Sequence, residues 1–394
     1  MLKLGYFSHT NISPSETFIY DLVNSLNEDK DIELTYVTGQ NITLQTDFNV
    51  KSVASGYSEK NIKWAFRLYK LGQIKGGYGS KWKMNYQKRI AYKQLQKCNL
   101  PQFDVAYIEY ATSAVLVMDY LVSKHIPFIV HVHGYDVTTS TNDKSYLQEL
   151  KLLFEKASFF IVASQYMKRR LVLLGCAENK IKLIRLGVDS HSICPISWDK
   201  RKKLNPAIIF LGRLTEKKHP IALLHAFKIV KNTFPNAILS IIGGGEMESD
   251  VKNEIERLNL NSSIKLYGIL NRADSFPIMN QHWIYAQHSV TSMYGDTEGF
   301  AISLAEAALH ELPVVSTIHN GITENVIDNV TGYLVPEYDF ESMAERIIYL
   351  IKNPDIAEQM GKAGREHILK LCEPGKRIKM IKELLHQTVC EHKM

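Results

Sequence analysis

The chain is poor in cysteine, and its few cysteines form no pattern. Cys98, Cys176, Cys194, Cys372 and Cys390 include no C-x-x-C pair and are odd in number. That arrangement suggests neither a disulfide framework nor a thiolate zinc site, and a reducing compartment is expected. No run of about 20 apolar residues occurs, which argues against a membrane-spanning helix. The opening stretch Met1-Leu2-Lys3-Leu4-Gly5-Tyr6-Phe7-Ser8 is too short an apolar run for a secretory leader and reads as a first strand. Low-complexity segments and residue-level repeats are also missing. Acidic residues are nearly absent from one window. Between Lys51 and Leu100, ten Lys and two Arg face only Glu59, so this window carries +11 while the rest of the chain is −5 and the whole is +6.

What is present is an α/β pattern on a scale of two domains. At 394 residues the chain exceeds the roughly 250 to 300 residues at which one core stops growing. Short apolar runs alternate with helix-like stretches, the mark of parallel α/β architecture. Strands are expected near Leu2–Phe7, Glu33–Thr38, Val105–Glu109, Phe128–Val132, Phe159–Ala163 and Ile181–Ile184. The pattern restarts with Ala207–Gly212, Ile238–Ile242, Ile264–Tyr267, Trp283–Ala286 and Pro313–Thr317. Between the two series, Pro195, Pro206 and Asp199-Lys200-Arg201-Lys202-Lys203 interrupt the periodicity. The expected division is a Rossmann-like domain over 1–190, a linker over 191–206, a second Rossmann-like domain over 207–372 and a terminal helix over 373–394. Ile378, Ile381, Leu384 and Leu385 would form that helix's apolar stripe. Ligands of open parallel sheets bind beyond the carboxyl ends of the strands, so the loops there are where chemistry is expected.

Four motifs occupy such loops. In Glu298-Gly299-Phe300-Ala301-Ile302-Ser303-Leu304-Ala305-Glu306, two glutamates flank a loop-to-helix transition that is otherwise apolar or small. A carboxylate on an apolar helix needs a partner. Glu306 would either grip ligand hydroxyls or cap a neighbouring backbone group, and the Gly299 and Phe300 amides would offer a helix N-terminus to an anion. In Gly212-Arg213-Leu214-Thr215-Glu216-Lys217-Lys218-His219-Pro220, Arg213 and Lys218 could converge on one diphosphate. Solvated charge is the plainer reading, and Lys217 is assigned to it. Ile241-Ile242-Gly243-Gly244-Gly245-Glu246 is a strand running into a glycine loop without the G-x-G-x-x-G spacing, either a nucleotide-facing turn or only a tight one. His131-Val132-His133-Gly134-Tyr135-Asp136 ends a buried strand. Its two histidines at i and i+2 share one face, but no third metal ligand is local.

In kind and order these motifs resemble the retaining GT-B glycosyltransferases of family 4, the glycosyl transferases group 1. Pro14-Ser15-Glu16-Thr17-Phe18 and His133-Gly134-Tyr135-Asp136-Val137 resemble the bacterial exopolysaccharide and colanic-acid branch in particular. The resemblance implies two Rossmann-like domains facing a central cleft, with the C-terminal helix crossing back to the N-terminal domain. The acceptor would belong to the first domain and the nucleotide sugar to the second. Arg213 and Lys218 would bind the donor diphosphate with the Gly299 and Phe300 amides, beside the Gly212 and Gly243-Gly244 turns. Glu306 would hold the ribose, and Glu298 the hydroxyls of the transferred sugar. His133 would approach that sugar from the other domain, giving His133 and Glu298 the catalytic roles. Ser15, Glu16, Thr17 and Asp136 would lie on the acceptor side, with Asp136 orienting the histidine turn. No cofactor is implied beyond the nucleotide co-substrate, a UDP-sugar by preference, and no metal, since cations and a helix dipole stabilise the leaving diphosphate. Asp29-Lys30-Asp31 matches a D-x-D by chance in a polar loop. Two departures stand out: Thr323 replaces a proline common in the turn at 321–325, and Ser13-Pro14-Ser15 replaces paired glycines.

The +11 window also carries aromatics, including Tyr57, Trp64, Phe66, Tyr69, Trp82 and Tyr86. Ile62, Phe66 and Tyr69 fall at helical spacing, as do Trp82, Tyr86 and Ile90. Basic helices with interfacial aromatics suit an anionic membrane. Lys63, Trp64, Arg67, Lys81, Trp82 and Lys83 are the expected contacts, unless the aromatics are simply core. No nucleic-acid module is recognisable. The expectation is a cytoplasmic hexosyltransferase, peripheral at the inner face of the membrane, acting on a glycan or polyprenyl-linked saccharide of a bacterial surface polysaccharide. A non-catalytic nucleotide- or carbohydrate-binding protein and a sugar-nucleotide epimerase are the alternatives.

Overall fold

The structure is a computed structural model that describes residues 1–9, 16–40, 50–55, 62–74, 77–190 and 192–393. Two compact units divide it. The first comprises Met1–Arg185 with Gly375–Met394, and the second Leu186–Pro374.

The first unit is built on a parallel sheet of seven strands: β1 (Leu2–Ser8), β2 (Ile32–Thr38), β3 (Ser52–Ala54), β4 (Val105–Glu109), β5 (Phe128–His131), β6 (Phe159–Val162) and β7 (Ile181–Leu183). Their order across the sheet is β3-β2-β1-β4-β5-β6-β7, so the chain reverses its direction of growth between β1 and β4. That switch point is where an open α/β sheet leaves a crevice beyond its strand ends. The central strands are buried throughout, as Val105–Glu109 shows. Strands covered on both faces carry continuous apolar runs, which is why these segments are so plain in the sequence. The edge strand β3 is three residues long and half-exposed, and it escapes the sequence reading for that reason.

The second unit repeats the plan with six strands: β8 (Ala207–Leu211), β9 (Ile238–Ile242), β10 (Ile264–Gly268), β11 (Ile284–Ala286), β12 (Val314–Thr317) and β13 (Gly332–Val335). The order is β10-β9-β8-β11-β12-β13, again with a switch between β8 and β11. The four-residue β13 was not anticipated either.

The stretch 191–206 is not a bare linker. It carries the one-turn helix Trp198–Arg201, and both end residues are buried in the second unit. Trp198 meets Trp283 edge-on at 6.2 Å. The Arg201 guanidinium donates to the carbonyls of Glu311 and His310 at 3.0 and 2.9 Å. A cation there satisfies orphan carbonyls at the end of the Ile302–Leu309 helix and complements its dipole.

The last helix, Pro374–Lys393, packs in the first unit. Ile381, Leu384 and Leu385 are buried, and the buried Arg377 donates to the Phe18 carbonyl at 3.0 Å. Lys382 pairs with Asp29, so the chance D-x-D is engaged in tying this helix down.

Candidate functional site

In the second unit the residues singled out from the sequence gather at the carboxyl ends of β8, β9, β11 and β12. β8 runs into Gly212, and β9 into the glycine loop. Gly243 sits at φ +138°, and a Cβ there would lie 1.9 Å from the Gly212 carbonyl oxygen, so the two turns touch backbone to backbone. Only glycine tolerates both that angle and that approach. Gly244 holds the other side, its carbonyl accepting the Leu214 N–H at 2.9 Å.

After β8 the chain places Arg213 exposed and Lys218 enclosed. Lys218 Nζ lies 3.0 Å from Glu298 Oε1 and donates to Gln287 Oε1 at 3.3 Å. Gln287 is itself held: the Tyr285 hydroxyl donates to its oxygen at 2.9 Å, and its amide donates to Ser289 Oγ at 2.7 Å. Burial lowers the Lys218 pKa against the opposing pull of Glu298. For Glu298, burial acts to raise the pKa, but Lys218 and Lys217 outweigh it and hold the carboxyl down at about 2. The two groups face each other as an enclosed ion pair, each the other's nearest opposite charge.

Lys217 corrects its assignment as solvated charge. It is buried, with Nζ 3.2 Å from Asp296 Oδ2. A lysine-rich turn at a strand's carboxyl end folds inward here because Asp296 and Glu298 lie on the facing loop.

The loop of Glu298 is anchored by its own main chain. The Glu298 N–H donates to His319 Nε2 at 3.0 Å, and His319 Nδ1 is 2.6 Å from Glu337 Oε1. Gly299 and Phe300 then lead to Ala301 at φ 53°, which opens the Ile302–Leu309 helix with no side-chain cap. The Phe300 and Ala301 carbonyls both accept from the Asn325 amide. Thr323 donates to the Asn320 carbonyl at 2.9 Å, so the turn at 321–325 closes without the proline. One turn into the helix, Glu306 is buried with Oε1 3.2 Å from Arg272 Nε.

In the first unit β5 ends at His131, and His133 begins the turn Gly134–Val137. Asp136 is fully buried, and its carboxylate accepts the N–H groups of His133 at 3.0 Å and Ala111 at 3.1 Å. It shapes the turn, and the Thr112 hydroxyl donates to the same carboxylate at 3.2 Å. The His133 ring lies against Tyr110 at 4.5 Å and Phe18 at 5.1 Å between centroids. The Tyr110 hydroxyl donates to the Glu16 carboxylate, one residue before Thr17 opens the Thr17–Asn27 helix. Ser15, the remaining acceptor-side expectation, lies outside the described residues.

Left-handed backbone at non-glycine residues recurs beside these groups. Tyr110 has φ 69°, His219 φ 41°, Ala301 φ 53° and Asn320 φ 41°. Such conformations cost of order 1–3 kcal/mol each and persist only where the surroundings impose them.

Sequence reading missed Glu109, Arg272, Gln287, His319 and Glu337. Glu109 had a visible signal, a lone carboxylate closing the apolar run Val105–Glu109. It supplies the third group absent near the two histidines: ligand atoms of Glu109, His131 and His133 all lie within 4.8 Å of one another, a set able to hold a metal ion.

The basic window forms the helices Ile62–Ile74 and Gly79–Lys97. Trp64 and Phe66 are 53% and 56% exposed, with Lys63 and Arg67 beside them in solvent, so these aromatics are not core. Arg67 lies 5.1 Å above the Trp64 ring. On the second helix Lys81 and Lys83 are exposed and Trp82 half-buried, while Ala91 and Leu95 face the core. The Ile62 side chain and Tyr57 lie outside what is described.

Comparison with known proteins agrees with this geometry. Residues 196–367 match the family described as glycosyl transferases group 1, and residues 15–192 match glycosyltransferase family 4. The chain belongs to these glycosyltransferases. WcaL of Escherichia coli (strain K12), named for colanic acid biosynthesis, is 31% identical over 55% of this chain and 53% of its own length. The amylovoran biosynthesis glycosyltransferase AmsK of Erwinia amylovora is 29% identical over 55% of this chain and 53% of its own. The matched region thus spans about half the length of these relatives. Among solved structures, Anabaena HepE in complex with UDP-glucose superposes with a TM-score of 0.76 at 18% identity, covering 98% of this chain and all of that one. Sucrose-phosphate synthase from Thermosynechococcus elongatus gives 0.75 at 17% identity, covering 99% and 100%. The fold is GT-B.

Proposed function

We propose that this protein transfers a sugar, a hexose from a UDP-sugar by preference, to a glycan or lipid-linked saccharide in bacterial surface polysaccharide synthesis, with retention of anomeric configuration. The observation that carries this reading is the state of the two carboxylates of the E-x7-E motif. Glu298 is paired with Lys218 and Glu306 with Arg272, either side of an uncapped helix start. Arg213, Lys218 and the Gly299 and Phe300 amides suit a diphosphate, and Glu306 suits ribose hydroxyls. Glu298 suits the hydroxyls of the sugar. In the reaction the bond from the anomeric carbon to the diphosphate oxygen breaks, and a bond to the acceptor oxygen forms as that hydroxyl's proton passes to the departing diphosphate. Charge developing on the leaving diphosphate is met by the two cations and the helix dipole, without a resident metal. His133 is assigned a part in the transfer step. The UDP-glucose carried by HepE and the polysaccharide pathways for which WcaL and AmsK are named support the donor and acceptor classes.

The exposed Trp64 and Phe66 among Lys63, Arg67, Lys81 and Lys83 support docking on an anionic membrane surface, where a lipid-carried acceptor would lie. No described helix is long and apolar enough to cross a membrane.

The test is transfer itself. The protein is incubated with radiolabelled UDP-sugars and bacterial membrane lipid extract, in Mg²⁺ and in excess EDTA, and the product's anomeric configuration is read by NMR. Label entering the lipid fraction in both conditions with the α configuration of the donor is expected. Transfer abolished by EDTA and restored by Mg²⁺ would contradict the metal-free reading, inversion would contradict retention, and interconversion of donor without acceptor would make it an epimerase.

A further inference from the structure

Glu109 closes β4 with its carboxylate fully enclosed. Burying a charged group costs several kcal/mol unless its lone pairs are met. Here they are met from three elements. Oε1 accepts the Tyr6 hydroxyl at 2.5 Å from β1, and Oε2 lies 3.2 Å from His131 Nδ1 on β5 and 2.8 Å from His133 Nε2 in the turn that follows. Both oxygens therefore face donors, the geometry of an accepting carboxylate. Tyr6 is in turn stacked on Tyr107 at 5.0 Å and Tyr36 at 5.9 Å, so the hydroxyl that grips Glu109 has little freedom.

A carboxylate accepts only, so each ring nitrogen facing it carries the proton. His133 is thereby fixed as the Nε2–H tautomer and His131 as the Nδ1–H tautomer. A metal ion in the same place would require both nitrogens bare, and would move the His131 proton to Nε2. That nitrogen is buried with no hydrogen-bond partner among the described residues. An orphan donor costs more than an orphan acceptor of a weakly basic ring, so the protonated network is the better fit than the ion.

We infer that Glu109 is a positioning residue acting through His133. It fixes the tautomer and plane of that imidazole while Tyr110 and Phe18 hold its faces. The inference rests on the reading that gives His133 a part in sugar transfer.

The experiment is a double-mutant cycle on turnover, using E109Q, H133Q and the double variant of the full chain, with donor KM and thermal midpoint measured alongside. E109Q is expected to lower kcat about tenfold or more with donor KM within about twofold, as wrong-tautomer variants do. In the H133Q background the same change should do almost nothing, because the two act as one unit. Should H133Q leave kcat unchanged, the catalytic reading of His133 fails. Should H133Q lower kcat while E109Q has no effect, or multiplies the loss independently, the positioning inference is overturned. If E109Q does not fold, Y6F replaces it. It removes only the hydroxyl on Oε1 and should lower kcat in the wild-type but not the H133Q background. Imidazole ¹H–¹⁵N spectra give an activity-free check, with His133 expected as the Nε2–H tautomer. A stoichiometric metal bound to the purified protein and lost in E109Q would overturn the hydrogen-bonded arrangement.

Discussion

Lys218 Nζ and Glu298 Oε1 stand 3.0 Å apart with both side chains about nine-tenths enclosed. Each neutralises the other in the absence of ligand, and each is also a group suited to the donor. A diphosphate arriving beside Lys218 would take over its role as counter-charge and release Glu298 toward sugar hydroxyls. Breaking a buried pair by removing one partner leaves an uncompensated charge, at about 3–5 kcal/mol. Lys218→Met is therefore expected to lower the thermal midpoint of the ligand-free protein and to remove the midpoint rise given by UDP. An unchanged midpoint would show that the pair is not closed in solution.

Glu306 is expected to act on the ribose. Glu306→Gln keeps an acceptor for Arg272 but loses the charge, so affinity for UDP should fall about 10- to 100-fold, the worth of a charge-assisted hydrogen bond. Calorimetry with UDP and with a ribose-dideoxy analogue checks the role. The wild type should prefer UDP and the variant should not discriminate. Equal preference in both would remove Glu306 from the ribose.

The Ile62–Ile74 helix predicts a salt-sensitive membrane interaction. Replacing Lys63, Arg67, Lys81 and Lys83 by Gln should abolish sedimentation with phosphatidylglycerol vesicles. Trp64→Ala with Phe66→Ala should weaken it while leaving the salt dependence intact. Sedimentation unaffected by the charge changes would rule out this docking face.

Acid should destabilise the fold before it affects most carboxylates. His131, His282 and His288 are held by burial at about 4, and His310 at about 3, all below an unfolded histidine. Between about pH 6.5 and 4 the unfolded chain binds protons that the folded one refuses, so stability falls as pH falls through that window. Each group contributes on the order of 1 kcal/mol by pH 5. Glu298 adds a loss only below about 4.5, as pH approaches its folded value of about 2. Unfolding midpoints at pH 7.5, 6 and 5 in one buffer series check this, and a flat profile would contradict it.

The sheets were legible because parallel strands covered on both faces, such as Val105–Glu109 and Ile238–Ile242, are apolar at all but one position. β3 and β13 were not, being short and, for β3, half-exposed. The E-x7-E and His-Gly turns were legible as local patterns. Their partners were not, because Arg272 reaches Glu306 and Tyr6 reaches Glu109 only after the chain has folded between them, 34 and 103 residues apart. Lys217 and Trp198–Arg201 mislead for the same reason. Charge-rich stretches read as solvated until Asp296 or the end of the Ile302–Leu309 helix is brought against them.

The proposed transfer depends on binding of a nucleoside diphosphate sugar by the second unit. It is tested most directly by calorimetric titration of the wild type and of Arg213→Gln with UDP, GDP and ADP. Arg213 is exposed, so the variant should keep the unfolding midpoint of the ligand-free protein. Saturable binding of UDP by the wild type and at least about tenfold weaker binding by the variant are expected, the loss of one charged contact to phosphate. Binding of none of the three, or binding indifferent to Arg213, would contradict it.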